Sequence, residues 1–218
     1  MSDLALYFVR HGESVANHSD RNGVKRPAGS DRLSDLGWEQ ARSLGRRLEG
    51  EGLEVIVASD MRRAQETAQG IAEVLGLPIE TDPELREVRQ SDAFYASSPE
   101  FGQTGTLNWM PTSPPDFAEP GAESFNDIMG RVQRVRERLS ERAEQERILA
   151  VSHFGFLHFF LGGVLFGEDF SPQHVTGLYM AGHANTGITL FERRATRRMD
   201  GIDFPGWVLT TWNDQAHL

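Results

Sequence analysis

Short runs of apolar residues alternate along the chain with stretches in which apolar residues recur every three or four positions. A continuous apolar run is typical of a β-strand that is covered on both faces, and the wider spacing is typical of an amphipathic helix. Strands are therefore predicted at residues 4–9, 54–58, 78–81, 148–151, 187–191 and 207–211.

Three amphipathic helices are predicted, and each follows a residue that can cap a helix N-terminus. The first begins after Ser34, the second after Ser59 or Asp60, and the third at Ser124. In the third helix, Arg and Glu occupy the face opposite the apolar stripe, and this face is expected to be solvated. The segment Phe154–Phe166 is apolar almost throughout, which predicts a buried helix; it is too short for a bilayer span of ~20 residues.

The predicted strands and helices alternate, and no internal repeat or linker interrupts them. This order predicts one α/β domain over residues 1–218, built as a three-layer α/β/α sandwich around a mainly parallel central sheet. From about residue 88 to residue 121 the periodicity is lost among prolines and aromatic residues. A long aperiodic insert is typical of a functional lid or of a disordered segment, and the aromatic residues favour a lid.

Composition and charge exclude several classes of function. The net charge is −10, which argues against nucleic acid or an anionic membrane as a partner. The chain has no Cys, which excludes disulfides, thiolate metal sites and a Cys nucleophile. Its 7 His are scattered without a ligand-type spacing, so no metal site is expected. The N-terminus lacks the features of a secretory signal, and a cytoplasmic location is expected.

Three of the predicted strands are followed by similar residues, namely histidine, arginine or serine. They end at Arg10-His11-Gly12, at Ser59 followed by Arg62 and Arg63, and at Ser152-His153. In open α/β sheets, ligands bind in the crevice at the carboxyl ends of the strands. A single His or Arg at such a position is usually structural, but the threefold recurrence predicts that two His and at least two Arg converge on one site.

A phosphoryl group is the ligand that best suits two Arg and two His. Arg binds phosphate oxygens through two parallel hydrogen bonds, and a neutral imidazole is a competent nucleophile toward phosphorus. Nearby guanidinium groups are expected to lower the pKa of His11 and keep its attacking nitrogen unprotonated. Gly12 is expected to let the backbone approach the ligand. Ser14 is expected to begin a helix whose amides face the anion, and Asn17 to add a side-chain amide.

These residues lie in motifs that resemble those of the histidine phosphatase superfamily, the phosphoglycerate-mutase-like proteins. The motifs follow the order of the family and extend over most of the chain. They are Arg10-His11-Gly12-Glu13-Ser14 with Asn17, Leu33-Ser34-Asp35-Leu36-Gly37 with Gln40 and Ala41, residues 59–68 with Arg63 as the functional arginine, Leu85-Arg86-Glu87, Gly121-Ala122-Glu123-Ser124-Phe125, Val151-Ser152-His153 and Asn185-Thr186-Gly187.

The resemblance implies a phosphoglycerate-mutase-like fold and a phosphomonoester hydrolase that needs neither a metal nor another cofactor. In the implied mechanism His11 attacks phosphorus and becomes a phosphohistidine, while Arg10, Arg63 and His153 bind the phosphoryl oxygens. Glu87 acts as general acid and base; the alternative for this residue is a surface carboxylate on a turn. The implied substrate is a small-molecule phosphomonoester, and the oligomeric state is left open.

Two departures from the family pattern bear on the substrate. Phe154 directly follows His153, where the family often has Gly, and this places an aromatic ring at or near the pocket wall. No Arg occurs between Arg89 and Arg131, so the lid lacks the cations that a mutase needs for a second anionic group. This favours a hydrolase. The alternatives are a phosphoglycerate-type phosphomutase, a phosphoprotein phosphatase, and a non-catalytic phosphate-binding module, which could dispense with Glu87.

Overall fold

The computed structural model describes residues 4–91, 112–143, 147–199 and 202–218. Residues 92–111, which form the larger part of the predicted lid at 88–121, lie outside the described residues.

The described residues form a six-stranded sheet with the order β3-β2-β4-β1-β5-β6. The strands are β1 (Leu4–Arg10), β2 (Val55–Ala58), β3 (Ile79–Thr81), β4 (Ile148–Ser152), β5 (Ile188–Met199) and β6 (Ile202–Asp214). Strands β3, β2, β4 and β1 are parallel, and β5 is antiparallel to both of its neighbours. The prediction of a mainly parallel sheet is confirmed, and the two late strands are longer than the apolar pattern indicated.

Six α-helices flank this sheet in the described part of the chain. They are α1 (Val15–Arg21), α2 (Asp35–Arg47), α3 (Arg62–Leu75), α4 (Phe125–Ala143), α5 (Phe154–Phe166) and α6 (Pro172–Tyr179), and short 3₁₀ turns lie at Pro83–Leu85 and Gly167–Asp169. The predicted cap Ser34 accepts a hydrogen bond from the Gly37 amide at the start of α2. Among the described helices, none is both long and apolar enough to cross a lipid bilayer.

The sheet separates two hydrophobic cores, because alternate side chains of each strand point to opposite faces. In β1, Leu6 and Phe8 belong to the core that contains apolar residues of α4 and α5. Tyr7 and Val9 belong to the other core, which contains apolar residues of α2 and α3. This confirms the three-layer sandwich. Helix α5 is buried over most of its surface, as its apolar sequence predicted.

The basic face of α4 was expected to be solvated, but several of its side chains are engaged in ion pairs. Its side chains form ion pairs with acidic residues of β3 and the following turn: Arg142 with Glu80, Arg138 with Asp82 and Glu84, and Arg134 with Glu84. Strand β3 is an edge of the sheet. Charged side chains along such an edge hinder pairing with a strand of another molecule.

The register of the parallel strands brings the three predicted strand ends together. Arg10 lies opposite Ser152, and the amide of His11 donates to the Ser152 carbonyl over 3.0 Å. The amide of Ser59 donates to the Val151 carbonyl over 3.0 Å. The residues that follow β1, β2 and β4 therefore occupy one crevice at the carboxyl edge of the sheet.

Candidate active site

The two ring nitrogens of His11 have different partners. Nδ1 lies 2.8 Å from the carbonyl oxygen of Gly12, and because a carbonyl can only accept, Nδ1 carries a proton. Nε2 receives a hydrogen bond from Nε of Arg63 over 3.0 Å, so Nε2 holds the lone pair. The contacts thus select the tautomer in which Nε2 can act as a nucleophile.

The imidazole of His11 is almost fully buried, at 3% exposure. Its pKa lies well below the usual value, first because burial disfavours the charged ring and then because the guanidinium groups of Arg63 and Arg10 repel a second positive charge. The predicted direction is confirmed, with burial as the larger cause. His11 is therefore unprotonated at Nε2 at neutral pH.

Arg63 is held at the start of α3 by contacts on both sides of its guanidinium group. Its Nε donates to His11, and its Nη1 is paired with the carboxylate of Asp31 in the loop before α2. The Arg63 side chain is 15% exposed, whereas that of the adjacent Arg62 is 60% exposed and pairs with Glu66. The structure therefore distinguishes the two consecutive arginines: Arg63 faces His11, and Arg62 lies at the surface.

His153 lies beside His11, with 5.1 Å between the ring centroids. It is fully buried; its Nε2 lies 2.9 Å from Oγ of Ser59, and its Nδ1 has no partner among the described residues. Burial, followed by the charge of Arg63, lowers the pKa of His153 well below its usual value. The ring is therefore neutral at neutral pH and can offer a phosphoryl oxygen one proton rather than a positive charge.

Arg10 approaches the same crevice from the end of β1. Its Nη1 donates to the carbonyl oxygen of His183 over 2.6 Å, and its Cζ lies 5.3 Å from the ring centroid of Phe154. Its Nε is buried and has no partner in the described part of the chain. Burial lowers the pKa of Arg10 to about 10, so the group remains a cation at neutral pH.

Phe154 lies at this crevice, where the sequence predicted an aromatic wall. Besides Arg10, its ring contacts His158 at 4.2 Å and Tyr179 at 5.3 Å between ring centroids. Neither His158 nor Tyr179 was among the site residues expected from the sequence. Their positions depend on how α5 and α6 pack together.

The side chain of Glu87 lies against the N-terminus of α5, the helix that begins directly after His153. Its carboxylate accepts hydrogen bonds from the backbone amides of Val88 over 2.8 Å, and of Gly155 and Phe156 over 3.2 Å each. An anion at this position compensates the unpaired amides of the helix start. Glu87 is thus placed beside the crevice, rather than on an exposed turn.

A buried ion pair holds the segment that carries Glu87. Arg131 of α4 is bound to the carboxylate of Glu123 by two hydrogen bonds of 2.8 Å each. Its Nη1 also donates to the carbonyl oxygens of Glu84 and Arg86 over 2.8 and 2.7 Å. The start of α4, which follows the insert, is thereby joined to the 3₁₀ turn that precedes Glu87. This contact could not be foreseen from the sequence, in which Arg131 belongs to the helix face that was expected to be solvated.

Ser14 and Asn17 form a capping box at the start of α1. The Asn17 amide donates to Oγ of Ser14 over 3.1 Å, and the Ser14 amide donates to Oδ1 of Asn17 over 3.2 Å. These two amides are therefore not available to an anion, contrary to the expectation for this helix start. Nδ2 of Asn185 contacts the same Oδ1 over 3.3 Å and donates to the His11 carbonyl over 2.9 Å. Ser14 and Asn17 thus support the loop that carries His11.

The absence of a side chain at Gly12 serves the packing of the backbone. A Cβ atom at Gly12 would lie 2.7 Å from the carbonyl oxygen of Gly37 in α2. A Cβ atom at Gly37 would overlap the carbonyl oxygen of Glu13. The loop after β1 and the first turn of α2 therefore touch through their backbones. The sequence led us to expect that Gly12 lets the backbone approach a ligand, and the described contacts add this packing role.

Substituting alanine for Gly37 is expected to destabilise the protein by ~1–3 kcal/mol, because the new methyl group must displace the loop that carries His11. The matched control is Gly177→Ala in α6, where a Cβ atom meets nothing within 4 Å. This control is expected to be neutral or to stabilise by less than ~1 kcal/mol. Urea denaturation of both variants measures the difference, and equal stability of the two would contradict the packing argument.

The buried imidazoles predict that the protein loses stability in mild acid. Burial lowers the pKa of His11, His153, His158 and His183, the last to about 3. Below the unfolded pKa of ~6.5, the unfolded chain therefore binds more protons than the folded one. The free energy of unfolding should then fall as the pH decreases from ~6.5, by up to ~1.4 kcal/mol per pH unit for each group.

His158→Phe tests this linkage, because Nε2 of His158 is buried without a partner among the described residues. The variant should reduce the pH slope of stability between pH 5 and 6.5, by at most one proton. Urea denaturation at several pH values gives the slope. An unchanged slope would show that His158 is protonated to the same extent in the folded and unfolded states.

The chain resembles known proteins over almost its whole length. It is 29% identical over 223 residues to a probable phosphoglycerate mutase, GpmB, of Yersinia pestis, with 99% of this chain and 95% of the relative covered. A solved structure of Bacillus stearothermophilus YhfR has a TM-score of 0.69 at 25% identity, covering 98% of each chain. A mutant phosphoserine phosphatase of Entamoeba histolytica, solved with phosphoserine, has a TM-score of 0.70 at 22% identity and covers 98% of each chain.

A match to a family as a whole shows more than a likeness to single proteins. A family model described as the histidine phosphatase superfamily (branch 1) matches residues 6–200. That range includes His11, Arg63, Glu87 and His153, which the fold brings to one edge of the sheet. The chain therefore belongs to the histidine phosphatase superfamily.

Proposed function

We propose that this protein is a metal-independent phosphomonoester hydrolase that acts through a phosphohistidine formed on His11. The observation that carries the proposal is the neutral His11 ring, whose Nε2 lone pair faces Arg63 while Nδ1 is held by the Gly12 carbonyl. An unprotonated nitrogen beside guanidinium groups suits attack on the phosphorus atom of an anionic ester. The positive charge near the phosphoryl oxygens comes from arginine, so no metal is required for this task.

The proposed reaction has two steps. In the first, Nε2 of His11 forms a bond to phosphorus as the ester oxygen leaves in line, and Glu87 supplies the proton that the departing alkoxide needs. Arg10, Arg63 and His153 bind the phosphoryl oxygens during this transfer. In the second step Glu87 takes a proton from water, the water oxygen attacks phosphorus, and the bond to His11 breaks. Inorganic phosphate is released and the neutral imidazole is restored.

The proposed substrate is a small-molecule phosphomonoester, and the proposed unit is a single domain over residues 1–218. The sheet supports a single domain, because its strands come from both ends of the described chain, Leu4 to Asp214. A phosphomutase is the second candidate, because the Yersinia pestis relative is named as a probable phosphoglycerate mutase. A mutase must hold a second anionic group while the substrate reorients, and the sequence has no Arg between Arg89 and Arg131. This lack of cations favours the hydrolase.

Product analysis separates the two candidates. The protein is incubated with an aryl phosphate and with 3-phosphoglycerate in the presence of a chelator, and both inorganic phosphate and the 2-isomer are measured. A hydrolase releases phosphate from the aryl ester at a rate that the chelator leaves unchanged. Catalytic formation of 2-phosphoglycerate without net phosphate release would support the mutase instead. Loss of activity with the chelator and recovery with a divalent cation would contradict a metal-independent mechanism.

Glu87→Gln should distinguish between poor and good leaving groups. For an alkyl phosphate, kcat/KM should fall by ~100-fold or more, because an alkoxide needs a proton as it departs. For p-nitrophenyl phosphate the fall should be less than ~10-fold, because nitrophenolate leaves without protonation. The control is Glu84→Gln, whose carboxylate instead pairs with Arg134 and Arg138. Equal losses for both esters in the Glu87 variant would contradict the role as general acid.

A further inference from the structure

Ser59 and His153 form a buried pair that the proposed mechanism leaves unexplained. Both side chains are fully buried, and Oγ of Ser59 lies 2.9 Å from Nε2 of His153. The backbone amide of Met61 also donates to this Oγ, over 3.3 Å. On the other side of the His153 ring, Nδ1 is buried and has no partner among the described residues.

The position of Ser59 is fixed independently of its hydroxyl group. Its amide donates to the carbonyl of Val151 over 3.0 Å, and its carbonyl accepts from Nε2 of Gln65 over 2.6 Å. These bonds attach Ser59 to the neighbouring strand and to the first turns of α3. The hydroxyl group is therefore held at one point, facing His153.

Hydrogen-bond accounting distinguishes the two possible tautomers of the neutral His153 ring. If Nε2 carried the proton, the Ser59 oxygen would accept twice, its own proton would have no acceptor, and Nδ1 would be an unpaired acceptor. If Nδ1 carries the proton, the hydroxyl of Ser59 donates to Nε2 and accepts from Met61, and one donor is left unpaired. Because each unpaired buried polar group costs ~1–3 kcal/mol, the second arrangement is favoured.

We propose that Ser59 is a positioning residue that holds His153 in the Nδ1–H tautomer, so that the single proton of the ring is offered to a phosphoryl oxygen. The proposal rests on the proposed function for the identity of the acceptor. It explains how a neutral histidine beside two arginines binds an anion, since the wrong tautomer would present a lone pair to a negatively charged oxygen. The unpaired Nδ1–H then gains a partner when phosphate binds.

The direct test is the ¹⁵N spectrum of the histidine side chains in the folded full-length protein near pH 8. In the wild type, His153 is expected to show a protonated Nδ1 and an unprotonated Nε2. Ser59→Ala removes the hydroxyl proton and should give a mixture of the two tautomers. A proton on Nε2 in the wild type would overturn the proposal, and so would an unchanged His153 spectrum in Ser59→Ala.

The second measurement is the affinity for inorganic phosphate, by calorimetry under the same conditions. Ser59→Ala should weaken phosphate binding by about 10-fold, as expected for a hydrogen bond to a charged group. Ser152→Ala is the matched control, because its buried hydroxyl lies next to His153 but donates to the Leu85 carbonyl over 2.8 Å. This control should keep the His153 tautomer. An equal phosphate affinity in wild type and Ser59→Ala would overturn the proposal.

The two measurements separate this proposal from the proposed function. If the wild type hydrolyses no phosphomonoester, the function fails, but the tautomer and the phosphate affinity still decide the role of Ser59. If the wild type is an active hydrolase whose His153 carries its proton on Nε2, the function stands and the role assigned to Ser59 is wrong.

Discussion

Hydrolysis of an aryl phosphate is expected to fall by at least ~10⁴-fold when His11 is replaced by alanine, because the nitrogen that is proposed to form the covalent intermediate is lost. His11 is buried against Arg63 and the Gly12 carbonyl, and no other described histidine has both an Arg63 contact and a fixed Nδ1 proton. The measurement is the release of nitrophenolate by the purified variant, with circular dichroism to show that it is folded.

His18→Ala is the control for this experiment. The His18 side chain is 59% exposed on α1, 3.5 Å from the carboxylate of Glu13, and does not contact Arg63. This variant should keep wild-type activity. Full activity of His11→Ala, at wild-type purity, would exclude His11 as the nucleophile.

Arg63→Ala should lower kcat/KM by at least ~100-fold, by analogy with the loss of one donor to a transition-state oxyanion. The reason is that Arg63 places a positive charge beside the proposed nucleophilic nitrogen, because its Nε lies 3.0 Å from Nε2 of His11. The matched control is Arg62→Ala, which removes the preceding arginine of the same helix. Steady-state kinetics of both variants with one aryl phosphate give the comparison.

Arg62 is a well-matched control because it is the same residue type as Arg63 and adjacent to it in the sequence, but lies in a different environment. Arg62 pairs with Glu66 within α3 and is largely exposed, so its loss should change kcat/KM by less than ~3-fold. Equal losses in the two variants would mean that net charge near the helix start, and not the contact with His11, determines the rate.

The sequence predicts the sheet and the strand ends well because both depend on local patterns. Continuous apolar runs indicate strands that are covered on both faces, and the register of parallel neighbours then places His11, Ser59 and His153 at one edge. Helix α5 is recovered with its observed bounds, Phe154–Phe166, because its apolar sequence ends sharply at Gly167. The short α6 (Pro172–Tyr179) was missed, since a helix of 8 residues gives little periodicity.

The start of α3 shows why local rules fail at this site. Ser59 and Asp60 are good N-cap residues, yet the N-cap is Met61, which makes no side-chain hydrogen bond there. The hydroxyl of Ser59 lies against His153, and the carboxylate of Asp60 binds Arg86. Both side chains are thus used by residues distant in the chain, and a local pattern cannot record such contacts.

The periodicity of the sequence likewise does not predict which residues contact the site residues. Asp31, which pairs with Arg63, lies in a loop with no regular pattern. Arg131 and Glu123 flank the start of α4 and reach back to the segment of Glu87. The contacts of Asp31 with Arg63 and of Arg131 with Glu84 join residues that lie far apart in sequence, and they depend on how the helices pack on the sheet. The sequence therefore identifies the groups that carry chemistry better than the groups that hold them in place.

The most direct test of the account is the detection of a phosphoryl group on Nε2 of His11 during turnover. The wild-type protein is mixed with an aryl phosphate, quenched in alkali within milliseconds, and mapped by peptide mass spectrometry, with ¹⁵N–³¹P coupling to identify the nitrogen. One acid-labile, alkali-stable phosphoryl group per chain is expected on Nε2 of His11; it should appear before the steady state and be absent in His11→Ala. Turnover without any phosphoenzyme, or a phosphoryl group on a different residue, would contradict it.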